Sequence, residues 1–224
     1  INICFLILIS MNSALAEQTV TDSFSREVIS GWGSTELGQL WRLSGSYLNY
    51  SLNNGLGEII VVGGESSRIA SIDEYNRDVE GLIRYNWTTN SDINLLFSGI
   101  ALRITDDKKS YYFARVKGSN GRIIIAIDRV VNGSSQKLDD ISLQIPFVNN
   151  QEYSLRFIAI NENPTILNAK VWPSYQDEPT PWSIVVEDSE SLPSGPRQVG
   201  IRAGASSGFV GDAILAVNQF SSSI

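Results

Sequence analysis

"ALRITDDKKSYYFARV", residues 101–116, holds two strand-like runs around one polar tip. Apolar residues dominate Leu95–Thr105, and Ser110–Lys117 carries three consecutive aromatic residues, Tyr111, Tyr112 and Phe113. Between them Asp106-Asp107-Lys108-Lys109 interrupts both runs, as the tip of a hairpin does. Alternation assigns the faces, because successive Cβ atoms of a strand leave opposite sides. Tyr112, Ala114 and Val116 form a core face; Tyr111, Phe113, Arg115 and Lys117 form an outer face.

The same period of two recurs along the chain. Leu155, Phe157 and Ala159 oppose Ser154, Arg156 and Ile158, and Leu167, Ala169 and Val171 oppose Asn168, Lys170 and Trp172. Further strand candidates are Val20–Phe24, Tyr47–Leu52, Glu58–Val62, Arg68–Ile72, Val79–Trp87, Arg122–Val131 and Lys137–Leu143. Tyr153–Ile160, Ile166–Trp172, Trp182–Glu187, Val199–Ala203 and Ala213–Phe220 complete the set. Ser119-Asn120-Gly121 and Asn132-Gly133 supply residues that accept positive φ in tight hairpins. "PSYQDEPTPW", residues 173–182, reads as a loop inside the β pattern rather than a domain boundary. Helical periodicity is hard to find. These features predict an all-β fold, a single antiparallel β-sandwich (jelly roll) of two stacked sheets.

Composition narrows the chemistry. With 224 residues the chain buries a core without staples. A net charge of −7 predicts no nucleic-acid partner and no attraction to anionic membranes. The chain has no histidine, which removes Ser-His-Asp and Cys-His nucleophiles and His-ligated zinc. Its single cysteine, Cys4, forms no disulfide within the chain. At the N-terminus, the apolar run Ile3–Ile9 is too short to span a bilayer and is followed by Ala14-Leu15-Ala16. That order predicts a truncated signal peptide over residues 1–16, a mature domain over 17–224 and a secreted or cell-surface protein. A start at Met11 is the alternative and would remove the signal.

The central element, with "GWGSTELGQLW" (31–41), "LNAKVW" (167–172), "EPTPW" (178–182), "VGIRAG" (199–204) and "AILAVNQF" (213–220), resembles the concanavalin A-like lectin/glucanase superfamily, the laminin-G-like jelly rolls. The resemblance runs from about Thr21 to the closing strand. It implies paired first and last strands and a concave sheet face that often binds glycans.

Glucanase-like members of that superfamily carry acidic residues two apart on one strand face with a third close behind. Asp78-Val79-Glu80 matches the pair, but Gly81-Leu82-Ile83 follows and no third acid arrives. Glu187-Asp188-Ser189-Glu190 lacks the alternation. No catalytic residues are assigned, and no cofactor. Calcium needs several converging oxygens, and Asp22 with Asp212 supplies only two carboxylates even if the terminal strands pair.

Trp32, Trp41 and Trp182 are read as packing residues. The expected ligand site is an outer face holding Arg103, Tyr111, Arg115, Arg156 and Trp172, where an indole plane meets sugar C–H groups and guanidiniums donate to hydroxyls or acids. The functional expectation is a non-catalytic carbohydrate-binding or adhesive module, with a polysaccharide or cell-surface glycan as partner. The alternatives are a polysaccharide-degrading hydrolase or lyase, with Tyr111, Arg103 and Arg115 as lyase candidates, and a structural surface or virion module contacting other proteins.

Overall fold

The computed structural model describes residues 19–65, 67–190, 192 and 197–223. The expected signal peptide, residues 1–16, lies outside them. Among the described residues fifteen strands form in chain order. They are β1 (Val20–Asp22), β2 (Arg42–Leu43), β3 (Tyr50–Asn53), β4 (Leu56–Val62), β5 (Arg68–Asp73), β6 (Val79–Thr89), β7 (Leu96–Ile104) and β8 (Tyr111–Ser119). There follow β9 (Arg122–Val131), β10 (Ser134–Pro146), β11 (Tyr153–Ile160), β12 (Thr165–Pro173), β13 (Ile184–Asp188), β14 (Gln198–Ala205) and β15 (Asp212–Ser223).

The strands build an eight-stranded sheet, β13-β12-β11-β6-β15-β4-β3 with β1 also on β15, and a seven-stranded sheet, β10-β9-β8-β7-β14-β5-β2. Every pairing is antiparallel. The fold is the expected two-layer jelly roll, and β1 pairs with β15 through Val20↔Ser222. Asn120-Gly121 and Asn132-Gly133 take positive φ and close the β8–β9 and β9–β10 hairpins. Asn54-Gly55 does the same between β3 and β4. Two consecutive left-handed residues match the twist of the flanking strands.

The core faces follow the alternation. Tyr112, Ala114, Val116, Leu155, Phe157, Leu167 and Val171 are buried in one cluster between the sheets. Trp32 and Trp41 are fully packed, with ring centroids 5.0 Å apart and edge-to-face. Phe24, Tyr50 and Phe220 surround them. The sequence reading missed β2, whose two residues are too few to show a period. It also placed Tyr47–Asn49 in a strand; these residues form a short 3-10 turn capped by the Ser46 hydroxyl.

The calcium geometry fails. On β15, Asp22 pairs with Phe220 whereas Asp212 pairs with Val62. Eight residues of strand separate the two carboxylates, roughly 27 Å at the usual rise. Asp22 is instead held by Arg26 and Trp41.

Candidate functional site

The five residues expected to share a face do not. Tyr111 and Arg115 stand on the outer face of the seven-stranded sheet, while Arg156 and Trp172 stand on the outer face of the other sheet. Arg103 belongs to neither surface. It sits at φ +55 in a register shift between β7 and β14, which turns its side chain toward the ends of β11 and β12. There it is buried and donates to the carbonyls of Arg77 (2.8 Å) and Asn161 (2.6 Å) and to the Thr165 hydroxyl (3.1 Å). Arg103 is a tie between the sheets, not a ligand contact.

Arg156 and Lys170, two cations of the eight-stranded sheet, are used internally. The 173–182 loop folds back over that face and inserts Glu178 between Arg156 and Lys170. Glu178 accepts from Arg156 Nε at 2.7 Å and from Lys170 Nζ at 2.7 Å. Glu80 takes the remaining guanidinium edge of Arg156. Burial opposes the charge on Glu178, yet these bonds overcome it and hold the carboxyl below its usual range. Lys170 also lies 4.6 Å over the Trp182 ring. Trp172 is only 7% exposed, so its ring offers no plane to a sugar. The glucanase-like pair is consumed too: Glu80 serves Arg156, and Asp78 accepts from the Asn161 amide at 2.9 Å. Asp188 is buried between Tyr112 and Arg129.

The seven-stranded sheet carries a different outer face. Its centre is not solvated. Phe113 is 0% exposed there, in a second apolar cluster with Ile69, Ala101, Ile104, Tyr111 and Val130. A Cβ at Gly99, beside Phe113, would sit 2.9 Å from that ring and 1.8 Å from the Ala114 carbonyl oxygen. A Cβ at Gly204 would sit 2.5 Å from the Phe97 ring. Glycine at these two places lets the rings lie down on the sheet. Arg202 then covers them, 5.0 Å from Phe113 and 5.5 Å from both Phe97 and Tyr111. Arg115 is held by Asp128 in a fork, 2.6 and 3.1 Å. Burial pushes the Tyr111 phenol above its ordinary value, which keeps it protonated near neutral pH.

At the β2 edge this face opens into a cleft of about 600 Å³ lined by Leu40, Arg42, Tyr47, Asp73, Tyr75, Asp106, Lys108 and Gln198, among others. Tyr47 and Tyr75 are 58% and 72% exposed and form its rim. Its floor is a polar chain. Lys108 reaches back from the β7–β8 tip and donates to the Ser71 hydroxyl (2.9 Å) and the Arg42 carbonyl (2.5 Å). Ser71 donates to Gln198 (2.7 Å), and Gln198 to Asp106 (3.2 Å). Arg42 donates to Asp73 at 2.8 Å. Burial and the nearby Arg42 charge push the Lys108 ammonium down to about 8. Reading by alternation missed this cleft, because Tyr75 lies between strands and Lys108 lies in a turn. The available signal was compositional: two lysines and two aspartates at the tip of the strongest hairpin.

No protein-family model matches the sequence, and no curated protein matches it. Solved structures do match. The carbohydrate binding module CBM66 from Bacillus subtilis superposes with a TM-score of 0.56 at 12% identity, over 80% of this chain and 94% of that one. A prokaryotic β-1,3-1,4-glucanase (lichenase) from a mouse hindgut metagenome gives 0.59 at 9% identity, over 91% and 97%. The chain has the concanavalin A-like jelly-roll fold. A GH43 protein from Bacillus licheniformis matches this jelly roll with a TM-score of 0.62 at 13% identity, over 91% of this chain but only 39% of its own length. At such identities the jelly roll is shared as a fold, and chemistry rests on the residues described above. Among the described residues, no group of three or more metal-ligating side chains is clustered and no helix is long and apolar enough to cross a membrane.

Proposed function

We propose that this chain is a secreted carbohydrate-binding module that takes its ligand on the outer face of the seven-stranded sheet, at the cleft between Tyr47 and Tyr75. The observation that carries this reading is the pairing of two exposed phenol rings with a floor of ordered polar groups. Rings stack on the C–H faces of a pyranose while fixed donors and acceptors read its hydroxyls. The likeness of the fold to a carbohydrate binding module and to a lichenase supports the same class of ligand. The apolar run and Ala14-Leu15-Ala16 support export.

A glycan array followed by amide hydrogen exchange tests the site. Binding is expected to protect β2, β5 and the 105–110 turn. Protection confined to β11 and β12 would overturn the location, and a folded protein that binds no glycan would overturn the function.

One feature favours a second reading. A lysine with its ammonium brought down to about 8 serves as a base in β-elimination, where a nearby cation neutralises a uronate carboxylate. Arg42 lines the same cleft. A rise in ultraviolet absorbance from an unsaturated product, lost in Lys108→Met, would establish lyase activity.

A further inference from the structure

Arg202 differs from the other buried or half-buried arginines of the structure. Arg26, Arg68, Arg103, Arg115, Arg129, Arg156 and Arg197 each have a carboxylate within ion-pair distance. Among the described residues Arg202 has none. Its hydrogen-bond partner is the Ser67 hydroxyl, reached by Nε and Nη2 at 3.1 Å each. Three aromatic rings hold its plane. Asp128, the carboxylate whose charge reaches it, is already forked by Arg115. A guanidinium this far out of water, braced by rings and lacking an anion, has a planar donor edge left to offer.

The surroundings repeat the sign. In register, Arg202 pairs with Gly99 and Gly99 with Arg115, so no side chain is rooted between the two arginines. Lys117 pairs with the half-buried Phe97 next to them and has no carboxylate partner among the described residues. With Lys137 and Asp140, which pair with each other on the neighbouring β10, four cations face two carboxylates in a chain whose net charge is −7. Such a reversal concentrates anions locally. Gln198 and Arg202 lie on one face of β14, four residues or roughly 13 Å apart, which is about the length of two to three linked pyranoses.

We propose that Arg202, with Arg115 and Lys117, forms an acidic-sugar subsite that reads the carboxylate of a uronate while the neighbouring units of the chain occupy the Tyr47–Tyr75 cleft. This rests on the carbohydrate-binding reading above and names its ligand class. The carboxylate meets the free edge of Arg202, and the exposed part of Phe97 takes the apolar side of the same sugar.

Calorimetric titration with polygalacturonate, a sulfated galactan and the neutral polymers xylan and mixed-linkage β-glucan tests it. The expected result is at least tenfold tighter binding of the polyuronate than of any neutral polymer, weakening with salt. The sulfated polymer should fall between them. Arg202→Gln should lower polyuronate affinity at least tenfold and so erase the preference; Arg202→Lys, which keeps the charge but loses the fork, should retain only part of it. Thermal unfolding of both variants checks that they fold, and if Arg202→Gln does not, Arg202→Lys and Lys117→Gln carry the comparison. Equal affinity for acidic and neutral polymers, or a preference unmoved by these substitutions, overturns the subsite while the carbohydrate-binding reading stands. A sulfated polymer bound more tightly than the polyuronate overturns the carboxylate assignment. Binding of neither class overturns both.

Discussion

The indole Nε1 of Trp41 donates to Asp22 Oδ2 at 2.7 Å, inside the core. Arg26 grips the same carboxylate with both terminal nitrogens, at 2.6 and 2.9 Å, and the Phe24 amide adds a fourth donor at 2.8 Å. Arg26 Nε also donates to the Trp32 carbonyl at 2.8 Å. The Gly-Trp-Gly segment is thus folded onto β1 by a single buried acid. Asp22→Ala should leave three donors without an acceptor, since Arg26 Nη2 keeps its bond to the Trp32 carbonyl. Breaking a buried pair from one side costs about 3 kcal/mol or more. For a chain of this size the expected fall in Tm is about 6–12 °C, measured by calorimetry.

Tyr47 and Tyr75 are exposed and carry little of the fold. Tyr75→Ala and Tyr47→Ala should each weaken binding of any glycan ligand by about 1 kcal/mol, close to fivefold. Neither should move the Tm by more than about 2 °C. A loss of affinity that only tracks lost stability would remove these rings from the site.

Lys108 makes stability depend on pH in a defined direction. Its folded ammonium titrates near 8, below the ordinary lysine value, so between those two points the unfolded chain binds more protons. Stability should therefore rise with pH from about 8 upward. The tyrosines work against it. Burial pushes the Tyr112 phenol up to about 12, and its contribution is present below the ordinary phenol value and lost above it. The Tm is expected to climb above pH 8, reach a maximum near pH 10 and then fall. Lys108→Met should flatten the rising limb and keep the falling one.

Glu178→Gln tests the clamp of the 173–182 loop. Arg156 and Lys170 lose a shared anion, and the loop should loosen from the sheet. Faster proteolysis within 173–182 and a red shift of Trp182 fluorescence are expected, with the Tm lower by about 2–6 °C. Glycan affinity should stay unchanged, since this clamp lies on the opposite sheet.

What was legible in the sequence is local. The alternation of Leu155, Phe157 and Ala159 against Arg156 marked a core face, because a strand repeats every two residues whatever its neighbours are. Asn120-Gly121 and Asn132-Gly133 marked hairpins, because positive φ is a property of those residues themselves. Trp32, between two glycines, and Trp41, at the start of a short apolar run, read as packing residues from their local sequence, and both are buried. Alternation separates the two faces of one strand but says nothing about which sheet that strand joins. Strand order in a jelly roll is set by pairings between distant segments, such as β14 with β5 and β7. That order placed Arg115 and Arg156 on opposite sides of the molecule, folded Glu178 over the cations of one face, and brought Arg42, Lys108 and Gln198 together on the other. The faces of the strands were written in the chain; their assembly into a site was decided only when the two sheets closed over their shared core.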